Sequence, residues 1–579
     1  MTATPVLLHP PSTAGHLTHG HPATAGLLGA QVRYGVQELW RSRITFIFTF
    51  LFPLTWLVVF GLLGGNAEVD PATGVRLVQF VTPSAAAMGV LYATLPTIAT
   101  TVAIARQRGL MRRLRGTPLP IWTYLAGRIG ASVVFALGAV ITMVAFGVVA
   151  YDVQIQWRAM PAFLVTVVFA IACFAALGLA VAGVARSSAV AEGASIAGAV
   201  ALAFVSGLFS VGGNAAWADR IAAVLPLQPF NDALAEQFDP FSSGAGWDLE
   251  ALAILLAWGL AGAAIAARTL RSDPVRARSG SPRSRTTART SPGTHQQVPL
   301  GAGAPVVVHG SASVSAAVTV QAPGRPSVWS LLAAQAAWGL RAALRDIGWV
   351  FFAVAMPVGI FAFTMTSAPD DARTGGWRPV VLATAAGMTA FGVAVTSFIN
   401  LPEAVARDRD AGVLKRLRGT PLTTPVYLAG RTVASVLIAL ITGGLIVVAG
   451  GMFWDLRVTA AGLAVAAGVV VVGVVTLAGC GFVLASLLPS AKAMTAVGLG
   501  ILLPLSFFSG IFAAGMIPQW MSTVGSFFPL KHVTELVTGA LAPAGPSISG
   551  LSVAVLLAWL VAASAVAIRV FRWEPPDGR

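Results

Sequence analysis

Two basic segments hold the side chains best suited to specific polar binding. Residues 109–128 read GLMRRLRGTPLPIWTYLAGR and residues 412–431 read GVLKRLRGTPLTTPVYLAGR, so the chain repeats one sequence at an offset of 303. Guanidinium groups form strong charged hydrogen bonds, and such self-similarity marks two fused copies of one unit. Because residue order around the turn is preserved in both copies, we predict a docking surface in each. The alternative is that the arginines only orient the chain in a membrane.

The predicted docking residues are basic side chains, the Thr-Pro pair of each copy and one acid. They are Arg106, Arg108, Arg112, Arg113, Arg115, Thr117, Pro118, Arg407, Asp408, Arg409, Lys415, Arg416, Arg418, Thr420 and Pro421. In the first copy, we expect the preceding helix to continue until Gly116 ends it. Thr117 then caps a new helix that starts at Pro118, because a residue before proline leaves the helical conformation. Each copy is therefore predicted to form a rigid helix–break–helix loop.

The sequence lacks the residue motifs that would catalyse the making or breaking of covalent bonds. A phosphate-binding loop ends in Gly-Lys-Ser/Thr, but the three lysines follow Leu414, Ala491 and Leu530. No spaced Ser/His/Asp set or buried carboxylate pair occurs in the apolar segments, so we predict no catalytic residue and no metal site. Cys173 and Cys480 are interpreted as small buried apolar residues. The histidines near the N-terminus are interpreted as part of a solvated tail.

A second group of candidates consists of polar residues inside the apolar segments, where such groups line paths or helix contacts. The candidate substrate path comprises Thr94, Thr97, Thr101, Thr396, Asn400 and Glu403. Threonine hydroxyls also bond to their own helix, so helix packing is the competing interpretation. Since no fixed charge lies deep in either half, the pattern favours a lipophilic substrate over a small ion.

Long apolar segments must position these residues. The 579 residues are 56% hydrophobic and 10% charged, whereas soluble domains carry about 25% charged residues. The apolar runs reach the roughly 20 residues that a membrane helix needs, and they show no period-2 alternation. The composition therefore predicts an all-α integral membrane protein. The net charge of +15 comes from arginines at helix ends and loops, a pattern that argues against nucleic-acid binding.

Six spans are predicted in each half, which gives 12 transmembrane helices in two parallel repeats. An amphipathic interfacial helix precedes each set, at 27–43 and 331–347. The first set lies near 44–64, 80–105, 124–150, 160–184, 191–211 and 249–267. The second set lies near 347–367, 379–403, 430–452, 459–486, 494–514 and 549–568.

Domain boundaries follow from this pattern. We expect a disordered cytoplasmic tail at 1–26, a first membrane domain at 27–270, a disordered Arg/Ser/Pro-rich linker at 271–326, a second membrane domain at 327–573, and a C-terminal tail at 574–579. Basic residues concentrate in the loops after spans two, four and six, so both termini are predicted to be cytoplasmic. The arginine, alanine, glycine and proline content favours a bacterial plasma-membrane protein from a G+C-rich genome.

Taken together, the interfacial helix, the six spans and the basic loop ending in Leu-Arg-Gly-Thr-Pro-Leu and Ala-Gly-Arg resemble the type-2 ABC exporter permeases, once per half. The resemblance implies that a separate ATPase, in two copies, contacts each basic loop and that ATP and Mg²⁺ bind to that partner. It also implies that 212–248 and 515–548 form re-entrant helices of an external gate. The gate candidates are Ser206, Phe209, Pro226, Asp232, Ser509, Phe512, Pro529 and Glu535. For Asp232 and Glu535, the residues themselves favour the alternative of solvated loop acids.

The expected function is that of the membrane subunit of an ATP-driven exporter, with the substrate path between the halves. A drug or antibiotic, a lipid or a glycan would fit as substrate, and multidrug efflux is one expectation. The leading alternative is an ion-coupled carrier of the major facilitator kind, which also has two parallel six-helix repeats. A non-transporting membrane enzyme or scaffold is a third class. Only the second loop carries acids, near Glu403, Asp408 and Asp410, so we expect the two docking sites to differ.

Overall fold

The computed structural model describes residues 24–63, 68–70, 75–114, 116, 121–208, 216–271, 327–367, 378–420, 422–512 and 517–574. The predicted linker and nearly all of both predicted tails lie outside these ranges. So do five candidate site residues, namely Arg115, Thr117, Pro118, Phe209 and Pro421. The described residues are almost entirely helical. Their single sheet is a hairpin of β1 (Glu68–Asp70) and β2 (Val75–Arg76), which the sequence analysis did not predict.

Eleven α-helices lie in the described residues of the first half. They are α1 (Thr24–Arg41), α2 (Arg43–Phe46), α3 (Phe52–Leu63), α4 (Val78–Gln107), α5 (Leu110–Leu114), α6 (Ile121–Tyr151), α7 (Met160–Val184), α8 (Ser188–Val205), α9 (Ala216–Ala222), α10 (Leu227–Phe238) and α11 (Leu249–Arg271). A π-helical segment, Ile47–Leu51, joins α2 to α3 in one continuous rod.

The second half repeats this order. Its helices are α12 (Val328–Arg345), α13 (Ile347–Val350), α14 (Met356–Ser367), α15 (Arg378–Ala394), α16 (Leu401–Asp410), α17 (Val413–Arg418), α18 (Thr424–Phe453), α19 (Ala460–Leu487), α20 (Ala491–Phe508), α21 (Gln519–Gly525), α22 (Pro529–Ala540) and α23 (Gly550–Val570). The π-helical segment Phe351–Ala355 joins α13 to α14, and Val395–Asn400 joins α15 to α16.

Eleven helices in the described part of the chain are long and apolar enough to cross a membrane, and a shorter apolar helix covers Ile47–Leu62. A bilayer core of about 30 Å requires this length, and a helix satisfies its own backbone hydrogen bonds in lipid. The predicted class of all-α, multi-pass membrane protein is therefore confirmed. Serine or threonine hydroxyls accept from the first turns of α8, α19, α20 and α23, which fixes where these helices begin.

The two halves contact each other through two helix pairs. Helix α3 of the first half packs against α20 of the second, and α14 of the second half packs against α8 of the first. Trp56 lies 5.9 Å from Phe507 between ring centroids, and Phe204 lies 6.5 Å from Phe363. The end that carries α5 and α17 is called the basic-loop end below, and the other is the opposite end. At the opposite end each half has a matching ion pair, Arg76 with Asp152 at 2.9 Å and Arg378 with Asp455 at 2.6 Å.

Glycines bring α7 against α4 in the first half, and α19 against the helix that covers Arg378–Asp410 in the second half. A Cβ at Gly178 would lie 2.7 Å from the carbonyl oxygen of Leu95, and one at Gly481 would lie 2.7 Å from that of Phe398. These contacts occur at the same offset of 303. Because a backbone oxygen cannot move aside as a flexible side chain can, only glycine permits this helix crossing.

Replacing either glycine with valine is expected to destabilise the protein by about 1–3 kcal/mol, the usual cost of overpacking. Thermal unfolding of the detergent-solubilised protein measures this effect. Gly468→Val is the matched control, since Gly468 is on the same helix as Gly481 and nothing lies within 4 Å of its Cβ position. Equal losses at Gly468 and Gly481 would show that the crossing is not tight.

Candidate docking loops and intramembrane cavity

Each basic loop breaks at a glycine that precedes the arginine cluster. Gly109 and Gly412 have φ of +69° and +71°, a conformation that side chains rarely adopt. Short helices α5 and α17 follow, and their buried residues Met111 and Leu414 anchor them. The helix–break–helix loop was predicted, but its break was placed at Gly116, which was wrong. The left-handed Gly109 interrupts the helix about two turns before Gly116.

The cap predicted at Thr117 lies outside the described residues, whereas the equivalent threonine of the second copy, Thr420, is described. The hydroxyl of Thr420 donates to the carbonyl of Leu417 at 2.6 Å, so this side chain closes α17 instead of opening the next helix. Helix α18 begins at Thr424, with Thr423 at its N-cap position. Thr420 therefore lies in the connection between α17 and α18.

One arginine of each loop points into the protein. Arg106 donates to the carbonyls of Gly183 and Ala185, and Arg409 donates to those of Ala485 and Leu488 at 2.8 and 3.0 Å. The Arg409 side chain is only 3% exposed. Arg106 thus binds the last carbonyls of α7, and Arg409 binds those of α19. These carbonyls lack partners within their own helix. They hold the loop in place from inside.

The remaining described basic side chains of the loops are exposed at the basic-loop end. They are Arg108 and Arg113 in the first copy and Arg407, Lys415, Arg416 and Arg418 in the second. Arg418 lies 3.4 Å from Glu574 of the C-terminal segment. The side chain of Arg112 is outside the described set. Exposed cations on a helix held by a buried leucine or methionine form a surface that an anionic partner can bind.

The acids that distinguish the second loop have partners within the chain. Asp408 binds Arg431 at 3.1 Å, and Asp410 accepts at 2.9 Å from the backbone N–H of Ala491, at the start of α20. In the first copy Gln107 makes the corresponding contact, accepting at 3.1 Å from Ser188 N–H. The acidic difference between the copies therefore serves internal contacts in the structure.

A buried arginine in each half finds its acid on a different element. Arg431 pairs with Asp408 of the loop and lies 4.4 Å from the ring of Trp338. Its counterpart Arg128 pairs at 2.7 Å with Glu38 on interfacial helix α1. Neither pair was predicted from the sequence. The arginine of the repeated Ala-Gly-Arg and the acid on the polar face of α1 were the available signals.

A charge cluster lies where α16 meets the other half. Arg407 binds Asp346 at 3.0 Å and Glu403 at 3.5 Å. Glu192 of α8 is close enough to Arg407, Asp346 and Lys492 to interact with them electrostatically. Glu403, predicted as part of a substrate path, thus belongs to an ion cluster between the halves.

The other path candidates lie mostly inside the helix bundle. Thr94, Thr97 and Thr101 donate to carbonyls of their own helix, at 2.7, 2.9 and 2.7 Å. Thr396 and Asn400 are buried, and the Thr396 hydroxyl and the Asn400 amide nitrogen have no hydrogen-bond partner among the described residues. Thr97 and Thr101 also line a cavity of about 620 Å³ at the basic-loop end.

That cavity is bounded by both halves. Helices α1, α4 and α8 of the first half form most of its wall, and Pro489, Ser490, Lys492 and Ala493 of the second half complete it. The corresponding place in the second half holds only about 210 Å³, lined by residues such as Trp338, Asp346 and Arg407. The larger volume falls within the range of small-molecule sites, about 300–1,000 Å³.

The candidate gate residues lie at the opposite end. Ser206, Pro226, Ser509 and Pro529 are buried there, and Phe512 packs against Phe391 and Phe507 at 5.3 and 5.1 Å. Asp232 and Glu535 are on α10 and α22 and reach the surface. Each half thus has two short helices before its last long helix: α9 and α10 lie between α8 and α11, and α21 and α22 lie between α20 and α23.

Two tryptophans hold the last long helix to these short helices. Trp258 of α11 donates to the carbonyl of Val224 at 2.8 Å, and Trp559 of α23 donates to that of Phe527 at 3.1 Å.

Glu535 is held by two donors. Lys531 lies 2.9 Å from its carboxylate and the Ser552 hydroxyl lies 2.8 Å away. Partial burial raises the pKa of Glu535, but these hydrogen bonds together outweigh it and hold the pKa below its ordinary value. The stabilisation is therefore present above the unfolded pKa and is lost as pH falls through the lower folded pKa.

Acidification below about pH 4.5, the ordinary glutamate range, is expected to loosen residues 529–540. Glu535→Gln removes the titrating carboxylate, so hydrogen exchange of this segment becomes less dependent on pH over that range. Glu236→Gln, on the corresponding helix of the first half, is the control and leaves the pH dependence unchanged. An unaltered pH profile in Glu535→Gln would contradict this interpretation.

Two similar halves, each with interfacial, long apolar and short helices around a shared cavity, define a multi-pass membrane transport component. The chain belongs to the ABC-2 type transporter family, whose sequence model matches residues 27–238 and again residues 324–542. The predicted family and its two copies in one chain are thereby confirmed. A comparison with curated proteins finds no significant match.

Proposed function

We propose that this chain is the complete membrane part of an ATP-driven exporter, with two permease units fused and the ATPase supplied by a separate subunit. The units extend over 27–270 and 327–573, joined by the linker at 271–326. Counting the rod that contains Ile47–Leu62, each unit has six spans, and the two six-span sets are parallel repeats. The family assignment and the repeated basic loops support this proposal.

Two ATPase subunits, which carry ATP and Mg²⁺, bind the exposed cations of α5 and α17. The left-handed glycine and the inward arginine make each loop a rigid attachment to its long helices. A push on α5 therefore moves α4, and a push on α17 moves α16. Movement of the ATPases toward each other would rock the halves and open a path at the opposite end, where the re-entrant short helices form the gate.

The protein works in the cell membrane with both termini and both basic loops on the cytoplasmic side. Its substrate is an amphiphile, because the cavity combines aromatic and hydroxyl side chains with two acids and two bases whose charges cancel. An ion-coupled carrier is disfavoured by the family match.

Purification of the tagged full-length chain from its native membranes tests the proposal. We expect an ABC ATPase to copurify at about two copies per chain, and the complex in liposomes to move an amphiphile only with hydrolysable ATP. Transport by the purified chain alone, driven by a proton gradient, would overturn the proposal. The control is the same preparation with a non-hydrolysable ATP analogue.

A further inference from the structure

The two interfaces between the halves differ in a way that bears on substrate binding. The first contains the 620 Å³ cavity, built by α1, α4 and α8 with the start of α20. At the second, a Cβ on Gly193 of α8 would lie 3.4 Å from the Cα of Gly348, so the two backbones approach closely. The cavity at the corresponding place is a third as large, and its described lining comes from the second half alone.

The difference can be traced to single positions. At the second interface Arg407 binds both Asp346 and Glu403. Their counterparts in the first half, at offsets of 303 or 304, are Ile104, Ser42 and Thr100. All three counterparts line the large cavity. These three charged residues of the second half are therefore replaced by uncharged residues in the first half, where the space stays open.

An unpaired buried group marks this space as a binding site. Tyr92 is 1% exposed and is one of the residues that line the cavity, and its hydroxyl has no hydrogen-bond partner among the described residues. A buried hydroxyl without a partner costs free energy that a ligand can recover. The second half has Val395 at the matching position, so only the first interface offers this hydroxyl.

The lining also defines the ligand chemistry. Eight of its side chains carry hydroxyl groups, and Phe48 adds an aromatic face. Its four charged side chains are two acids and two bases, and one acid, Glu38, already pairs with Arg128. Such a surface offers many hydrogen bonds and aromatic contact without a net charge to neutralise an ion.

We propose that the first interface is the single substrate-binding site of this chain, and that it takes an uncharged amphiphile with several hydroxyl or carbonyl groups. The ion cluster of Asp346, Glu403 and Arg407 keeps the second interface closed. This inference rests on the proposed transport function, and it specifies the substrate class and the side of the molecule that binds it.

Photo-crosslinking of the full-length chain in lipid nanodiscs tests the site without the ATPase. The probe is a dodecyl maltoside that carries a diazirine in its alkyl chain, and peptide mass spectrometry locates the labels. We expect saturable labelling at 34–48 and 92–104, at least about tenfold above that at 338–352 and 395–407. Unlabelled dodecyl maltoside should compete, whereas decyltrimethylammonium and decanoate should not.

Variants sharpen the test. Tyr92→Phe keeps the ring and removes the hydroxyl, so affinity for the probe should fall about tenfold, the size of one good hydrogen bond. The triple variant Ser42→Asp, Thr100→Glu and Ile104→Arg transfers the ion cluster to the first interface and should abolish labelling there. Ser435→Ala, in the small cavity of the second half, is the control that leaves labelling unchanged.

Each outcome decides one point. Equal labelling of both interfaces would overturn the one-sided site, and competition by the cation or the anion would overturn the uncharged class. The site itself would be overturned if labelling were unchanged both in Tyr92→Phe and in a triple variant that unfolds at the normal temperature. It would also be overturned if the wild-type chain showed no saturable labelling. If the ATPase copurifies but labelling fails, this inference fails alone; if labelling is one-sided but no ATPase binds, the proposed function fails alone.

Discussion

Asp408→Ala is expected to destabilise the second half by about 3 kcal/mol, because it leaves the guanidinium of Arg431 buried without its carboxylate. The Arg431 side chain is 4% exposed and lies 3.1 Å from Asp408. Trp338 covers the guanidinium but cannot replace the lost charge. Thermal unfolding in detergent, followed by the loss of monodisperse protein, measures the effect.

The first half supplies a rescue for this variant. There the acid that pairs with the buried arginine is Glu38, and its counterpart position in the second half is Ala342, which lies near Arg431 in the small cavity. Asp408→Ala with Ala342→Glu should therefore regain most of the lost stability. The converse pair, Glu38→Ala with Ala105→Asp, should do the same in the first half.

Glu38→Ala alone should cost less than Asp408→Ala. The Glu38 side chain is 43% exposed, compared with 19% for Asp408, so water replaces part of its interaction with Arg128. Glu574→Ala, which breaks an exposed pair with Arg418, is the control and should leave the unfolding temperature unchanged. Double variants no more stable than the single ones would show that the acids are not interchangeable.

Reversing Lys415 and Arg416 to glutamate should weaken ATPase binding at least about 100-fold, since each lost charge contact is typically worth 1 kcal/mol or more and reversal adds repulsion. Both side chains are exposed on α17, whose buried Leu414 is left intact, so insertion and folding persist. Affinity pull-down at several salt concentrations measures the effect. Higher salt should weaken wild-type binding as well.

The two loops allow a sharper measurement, namely the number of ATPases bound per chain. Reversal in the second loop alone should leave one ATPase on the first loop, and reversal of Arg113 as well should leave none. Arg158→Glu, exposed at the opposite end, is the matched charge control and should retain two. If two ATPases remain after both loops are reversed, the loops are not the docking sites.

Much of the architecture follows from the sequence. Apolar runs of membrane-crossing length can satisfy their backbone groups in lipid only as helices, so the long helices fall where hydropathy places them. The repeat at 109–128 and 412–431 likewise predicts two similar halves, and the structure repeats even the helix crossing at Gly178 and Gly481. The glycines of the basic loop did not by themselves predict where its long helix ends. Both Gly109 and Gly116 can break a helix, and in the structure α4 ends before Gly109 and α5 ends before Gly116.

The sequence by itself determined that this is a duplicated, helical membrane protein with an exposed basic loop in each half. Only the tertiary structure decided the partner of each charge: Arg106 and Arg409 turn inward to carbonyls, Arg128 takes its acid from α1, and Arg431 takes its acid from the loop. It also decided that one interface is open and the other closed. Hydropathy and helix periodicity act within one segment, whereas an ion pair or a cavity depends on which segments meet and on how closely their backbones approach.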